Sequence, residues 1–352
     1  GGRSRRLVVT SRRRHVSRVC TGRGVGSTPF PPISCPLLRT PIPGPTMRAW
    51  WRRRLNGWLR TPMRTVSRAV YTTESGSVGL QDAVGGEQRG DTGNRKILRI
   101  ALSGSGWLLP FHVGVWDTLS AQGLVDAETQ LAGASGGSLV AAAVCCGISK
   151  DEIMSHVVAL AEWYKSHDGG IGKLEDEMRT RFEGILPKNI EAVTKDRLFI
   201  SVLPIHPRNR FSTRLISNFE SREDLLEAVL TSSFIPFYLG SYPAKLFRDE
   251  WCIDGGIGNA VPSFEGAVTV CPVPGTGVTA HPLNPARLIA SDVHITPDLL
   301  GTDWILPNYA VLLRHALIPG TEEELWGYFE LGAESAKAWC SATSSADDRA
   351  SK

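Results

Sequence analysis

Between residues 96 and 262 the spacing of apolar and polar positions changes period repeatedly, and each change predicts an element. Lys96 to Leu102 (KILRIAL) is a short, nearly unbroken apolar run and reads as a buried strand. Pro110 to Gln122 carries apolar residues at helical spacing; it opens on a proline, tolerated in a first turn whose N–H groups lack partners anyway, and it stops at Gly123. A second short strand is expected at Thr129 to Ala132, followed by a small-residue helix to Gly147 and another helix from Lys150 to about Lys165. Leu198 to Ile205 is strand-like. Arg222 to Thr231 is helical and announced by Ser221, with Asp224 three residues on, the spacing at which a cap side chain reaches an orphan amide. Trp251 to Asp254 ends a further strand. Strands interleaved with helices predict an α/β fold around a mostly parallel sheet, because parallel neighbours need crossover connections. The longest uncharged stretch, Thr129 to Ser149, has the length of a membrane span, but four glycines and three serines interrupt it, so it reads as strand, turn and helix.

Charge then divides the chain. Residues 1 to 73 hold sixteen Arg and no Lys, Asp or Glu, so the formal net charge of +4 is +16 on a tail and −12 on the remainder. An acidic body excludes a uniformly basic nucleic-acid-binding protein. The tail places Trp50, Trp51, Leu55, Trp58 and Leu59 on one side of a cationic helix, a pattern drawn to anionic membranes and negative-inside potentials. The expectation is an organelle presequence, hence mitochondrion or plastid. The alternatives are a retained basic anchor on a cytoplasmic membrane or lipid-droplet face, or a mistranslated leader ahead of Met47. Residues 74 to 93 are Gly-rich and aperiodic, a flexible linker. One domain is expected over 94 to 342, with 343 to 352 a disordered tail. Seven cysteines without C-x-x-C spacing suggest neither a disulfide framework nor a zinc site; Cys145 and Cys146, in an Ala/Val run, read as small buried residues.

Three segments can carry chemistry. Gly133-Ala134-Ser135-Gly136-Gly137 is a G-x-S-x-G pentapeptide between a strand and a helix. A serine on such a tight turn takes a strained backbone conformation, the flanking glycines Gly133 and Gly137 leave room for close approach, and the hydroxyl projects at a helix N-terminus. In a chain with 36 glycines the pattern arises readily by chance, and its strand-turn-helix context is what makes it a candidate nucleophile. Ser103-Gly104-Ser105-Gly106, after the first strand, is a turn whose consecutive amides can bind an anion, either a nucleotide phosphate or an ester oxyanion. A dinucleotide fingerprint fails because Leu109 occupies the third glycine position, and no Gly-Lys-Ser/Thr follows. Asp254-Gly255-Gly256 sets an acid at a strand end, suited to a general base or to a plain turn.

Together the segments LSGSGWLLPFHVGV, LAGASGGSLVAAA, LTSSFIPFYLG, CIDGGIGNAVP and HPLNP at 281 to 285 resemble the patatin-like phospholipases, in particular the branch of adipose triglyceride lipase. The resemblance implies a three-layer sandwich around the sheet and a lipid acyl hydrolase without metal or cofactor. It implies a Ser135 nucleophile, an Asp254 base, and an oxyanion hole at Gly104, Ser105 and Gly106, acting through an acyl-enzyme. The implied partner is a glycerolipid, triacylglycerol or phospholipid, at a membrane or lipid-droplet surface. Leu109 departs from the family's glycine-rich turn. Two rivals stay open: a catalytically inactive lipid-binding or regulatory module, and an α/β-hydrolase triad of Ser135 and Asp254 with His281, His294 or His315. His112 reads as a core histidine. KLEDEMRTRFEG (173 to 184) reads as a solvated helix face or a lid, and Trp107, Leu108 and Leu109 as packing or the lining of an acyl groove.

Overall fold

The computed structural model describes residues 97–350 except 171, 207–211, 275–292 and 304–308. The basic tail 1–73, the linker 74–93 and the HPLNP segment with His281 lie outside the described residues.

The elements follow the predicted alternation closely through the middle of the chain. Strand β1 (Arg99–Leu102) leads through a 3-10 turn (Gly106–Leu108) into α1 (Pro110–Ala121); β2 (Gln130–Ala134) leads into α2 (Gly136–Cys145), then α3 (Lys150–Ser166), α4 (Leu174–Ile185) and the short α5 (Ile190–Thr194). β3 (Leu198–Pro204), β4 (Arg214–Ile216), α6 (Arg222–Ser232), β5 (Lys245–Phe247), β6 (Glu250–Asp254), the single turn α7 (Gly255–Gly258) and β7 (Val268–Val270) follow, and α8 (Tyr309–Leu317) and α9 (Glu322–Ala350) complete the order. Ser221 caps α6 as its spacing predicts, its hydroxyl accepting from Asp224 N at 3.1 Å. β1 begins at Arg99 rather than Lys96, because its partner β2 begins opposite, at Gln130.

The seven-stranded sheet has the order β5-β6-β3-β2-β1-β7, with β4 also on β3. β7, β1, β2 and β3 run parallel; β4 and β6 run antiparallel to β3, so the sheet is mixed but mostly parallel and flanked by helices. Alternation along β1 and β2 sends Ile100, Leu102 and Leu131 into the main core and Ala101 and Ala132 into a small cluster with Ala267 on the other face. Among the described residues, no helix is long and apolar enough to cross a membrane.

At the C-terminal end the structure corrects the expected disordered tail. α9 continues through residues 343–350, and Thr343 is buried with its hydroxyl on the carbonyl of Trp339 at 2.9 Å. The helix is held where Gly114 and Gly332 let its backbone cross that of α1: a Cβ on Gly114 would lie 2.0 Å from Phe329 O, and one on Gly332 would lie 2.0 Å from Phe111 O. The five described cysteines, Cys145, Cys146, Cys252, Cys271 and Cys340, are free and at least half-buried.

Candidate active site

Two strands bring the site together at one level of a third. Ala134, the last residue of β2, pairs with Ser201 of β3, and Asp254, the last residue of the antiparallel β6, pairs with Val202. Ser135 and Asp254 therefore leave their strands next to one another. Ser135 Oγ donates to Asp254 Oδ2 at 2.6 Å. Both residues are buried, at 7% and 2% exposure.

Ser135 has φ 51° and ψ −126°, a conformation costly for a residue with a Cβ, and its side chain makes no capping bond to the helix it precedes. The turn is held from three sides. Ser135 N donates to Ser232 Oγ at 3.0 Å, and Ser232 Oγ in turn donates to the Ser201 carbonyl at 2.6 Å. The Ser135 carbonyl accepts from Ser138 N at 2.8 Å and from Ser138 Oγ at 2.6 Å. Gly133 and Gly137 supply the close approach expected of them, since a Cβ on Gly133 would sit 2.5 Å from Gly137 O. Sequence reasoning missed Ser232; it stands inside the quoted LTSSFIPFYLG, but nothing local in that string says its hydroxyl meets a turn 97 residues earlier.

Burial pushes the Asp254 carboxyl up to about 6, opposed by the hydrogen bonds that favour its ionised form, from Ser135 and from the amides of Gly256 and Ile257. Gly256 N reaches Oδ1 at 2.7 Å, leaving Oδ2 for the serine. Gly255 has to lack a side chain, because a Cβ there would lie 2.1 Å from Ser201 O. A carboxylate that titrates near 6 is ionised at neutral pH and basic enough to take a proton from a hydroxyl in a transition state.

The glycine-rich turn lies against this pair, with one correction. Gly104 N already donates to Ala260 O at 2.7 Å, so its amide does not serve an incoming anion. Gly104 contributes space instead: a Cβ there would be 3.2 Å from Gly256 Cα and 3.6 Å from Ser135 Cβ. Ser105 and Gly106 have no backbone acceptor for their N–H groups among the described residues, and the turn packs on the start of α2, where Gly106 N is 3.0 Å from the position of a Gly136 Cβ. Gly106 (φ 52°) also faces Ala316 O, 1.9 Å from where its Cβ would be. Leu109, the departure from a glycine-rich turn, is buried as the N-cap residue of α1, and its own amide bonds Gly106 O at 3.3 Å.

The histidines fall elsewhere. His112 is buried behind the turn, its Nε2 donating to the Ser103 carbonyl at 2.9 Å, and burial lowers it to about 4, so it is a neutral packing residue. His294 Nδ1 accepts from Thr269 N at 3.1 Å, and His315 Nδ1 is 2.8 Å from Tyr328 OH; neither hydrogen-bonds Ser135 or Asp254. Trp107 and Leu108 are core residues, the Trp107 indole donating to Tyr238 OH at 3.0 Å. α4 keeps a solvated face, with Asp176, Thr180 and Glu183 exposed, and its other face is buried and tied to its neighbours. Glu175 is buried, Lys245 Nζ bonds it at 2.5 Å and Glu227 at 2.8 Å, and Arg179 pairs with Glu223 and Glu227. Among the described residues, no group of three or more His, Cys, Asp or Glu is placed to hold a metal ion.

Residues 100–265 match the family model described as patatin-like phospholipase. The chain is 29% identical to "Patatin-like phospholipase domain-containing protein 4" of Homo sapiens, over 67% of this chain and 94% of that protein. It is 31% identical to the human "Omega-hydroxyceramide transacylase", over 49% of this chain and 35% of that protein. It is 29% identical to the human "1-acylglycerol-3-phosphate O-acyltransferase PNPLA3", over 49% of this chain and 36% of that protein. The chain thus spans nearly all of the first relative and about a third of the other two. These matches support a lipid-directed activity of the acyl hydrolase or acyltransferase type.

Proposed function

Since residues 100–265 form a patatin-like phospholipase domain, we propose that the protein hydrolyses fatty-acid esters of glycerolipids, triacylglycerol or phospholipid, through a Ser135/Asp254 dyad. The observation that carries this reading is the 2.6 Å hydrogen bond from the strained serine to the buried aspartate. Ser135 Oγ attacks the ester carbonyl carbon while its proton moves to Asp254 Oδ2. The carbonyl oxygen takes the negative charge and is received by the amides of Ser105 and Gly106, a contribution typically worth about 3 kcal/mol per donor. The intermediate collapses, Asp254 returns the proton to the glycerol oxygen, and the acyl group stays on Ser135. A water, deprotonated by Asp254, then attacks the acyl-enzyme and the fatty acid leaves. The substrate is met at a membrane or lipid-droplet surface.

A second reading shares every step up to the acyl-enzyme: an alcohol other than water takes the acyl group. What favours it is that two of the relatives bear acyl-transfer names. Incubating the protein with a mixed glycerolipid extract, with and without added diacylglycerol and long-chain alcohol, and identifying products by mass spectrometry tests both. Free fatty acid as the main product supports hydrolysis, new esters support transfer, and no product of either kind with intact protein overturns both.

A further inference from the structure

The glycine-rich turn carries a hydroxyl that the fold does not use. Ser105 is buried, at 5% exposure, and its Oγ has no hydrogen-bond partner among the described residues. It stands immediately before the 3-10 turn Gly106–Leu108, where a serine ordinarily lays its oxygen on an amide of the turn it precedes. Here the side chain makes no capping bond, and the Ser105 carbonyl takes Leu108 N instead, at 3.0 Å. A buried hydroxyl left unpaired costs stability, so one kept beside a reactive centre calls for a reason. Its position supplies one. Ser105 Oγ lies 2.5 Å from the point that a Cβ on Gly136 would occupy, and Gly106 N lies 3.0 Å from the same point. Gly136 directly follows Ser135, so the hydroxyl and the amide both close on the flank of the candidate nucleophile. With the Ser105 amide they make three donors on two adjacent residues, and clustered donors of this kind are matched by an anion. Ser201 and Thr231 also hold buried hydroxyls without partners among the described residues, but within β3 and α6 and not on this turn.

We infer that the Ser105 hydroxyl is itself a catalytic group, a side-chain donor to the oxyanion formed when Ser135 attacks the ester. The inference rests on the acyl-enzyme reading above and adds to it: an amide stands at position 105 whatever the residue, whereas this donor exists only because the residue is serine. Ser105 keeps its proton throughout and gives a hydrogen bond to the charged oxygen. It is not a second nucleophile, because both oxygens of the Asp254 carboxyl are engaged elsewhere, Oδ2 with Ser135 at 2.6 Å and Oδ1 with Gly256 N at 2.7 Å. A hydroxyl hydrogen rotates freely, so it can follow the substrate oxygen as the carbon becomes tetrahedral, which an amide hydrogen fixed in its peptide plane cannot do. The bond strengthens as charge develops on that oxygen, so it lowers the barrier more than it tightens substrate binding.

The test uses the full chain, a soluble short-chain ester and two ketones of equal chain length. The trifluoromethyl ketone adds to a nucleophilic serine and places an oxyanion on the turn; the fluorine-free ketone binds without adding. Ser105→Ala should lower kcat about 10²-fold, the scale of one oxyanion-hole donor, with KM little changed. It should weaken inhibition by the trifluoromethyl ketone by a similar factor and leave inhibition by the fluorine-free ketone as it was. Its melting temperature should hold or rise, because alanine removes a buried hydroxyl that had no partner. Ser105→Cys, with a thiol that is a weaker donor, should fall between the two in both kcat and trifluoromethyl ketone inhibition. Wild-type kcat and inhibition in Ser105→Ala would overturn the assignment and leave the dyad standing. So would a lower melting temperature with equal losses for both ketones in Ser105→Ala and Ser105→Cys, the signature of a structural serine. A wild-type protein that neither hydrolyses the ester nor yields to the trifluoromethyl ketone would overturn the acyl-enzyme reading, and this inference with it.

Discussion

Ser135 and Asp254 are separated by 119 residues of chain, and the serine hydroxyl donates to the aspartate at 2.6 Å in a buried setting. Among the described residues no histidine is hydrogen-bonded to the pair, and in the proposed reaction the serine proton goes to the carboxylate. Removing either partner, by Ser135→Ala or Asp254→Asn, should lower fatty-acid release about a thousandfold or more, a loss typical of a nucleophile or its base. The check is kcat for a soluble ester with circular dichroism confirming the fold; normal turnover in either variant refutes the dyad.

The pH dependence follows from the raised pKa of Asp254. Asp254 acts only when ionised, so kcat/KM of the free enzyme should rise with pH and level off above about 6. A profile whose acid limb lies near the ordinary carboxylate range, about 4, would mean that some other group governs turnover.

Stability should move the opposite way. With the folded-state value above the unfolded one, the folded protein holds the proton more tightly, so stability falls as pH rises through the interval from 3.8 to about 6 and stays reduced above it. The cost at neutral pH is roughly 3 kcal/mol. Asp254→Asn should then raise the urea midpoint at pH 8 while gaining little at pH 4. Equal shifts at both pH values would show that the carboxylate's charge is not the cause.

Ser232 is a positioning residue for the elbow. In Ser232→Ala the buried N–H of Ser135 loses its acceptor, at a cost of about 1–3 kcal/mol, and the strained turn loses a restraint. The expected signature is a fall in kcat with KM little changed, partly rescued by Ser232→Thr. A purely structural role would lower the melting temperature without that kinetic split.

Gly106→Ala forces a side chain to within 1.9 Å of the Ala316 carbonyl at a positive φ. The turn must shift, and the amides proposed to receive the oxyanion shift with it. Activity should drop about 10²-fold or more, the scale of one lost oxyanion donor. Retention of wild-type kcat would place the oxyanion site elsewhere.

Together with His281→Ala, the variants His294→Ala and His315→Ala separate the dyad from a triad. A general acid or base is worth about 10²–10⁴-fold, so a loss on that scale in any of them would restore the triad. Little change is expected, because His294 is engaged with Thr269 and His315 with Tyr328.

Local signals were enough for α1, α2, α3 and α6 and for the strands that feed the site. Their periods, the Ser221 cap and the glycines around Ser135 act between residues a few positions apart, and neighbours of that kind are visible in a string of letters. The three-residue strands β4, β5 and β7 are too short to show a period, and α9 owes its place to a backbone crossing at Gly114 and Gly332 that no local pattern announces. The candidate nucleophile and acid were each readable alone, as a serine on an elbow and an aspartate at a strand end. Which groups face each other was decided only by folding, because β3 sets the level at which β2 and the antiparallel β6 both end. The same distant pairing uses up the Gly104 amide on Ala260 and hands the Ser135 amide to Ser232, two outcomes fixed by long-range register and invisible to spacing along the chain.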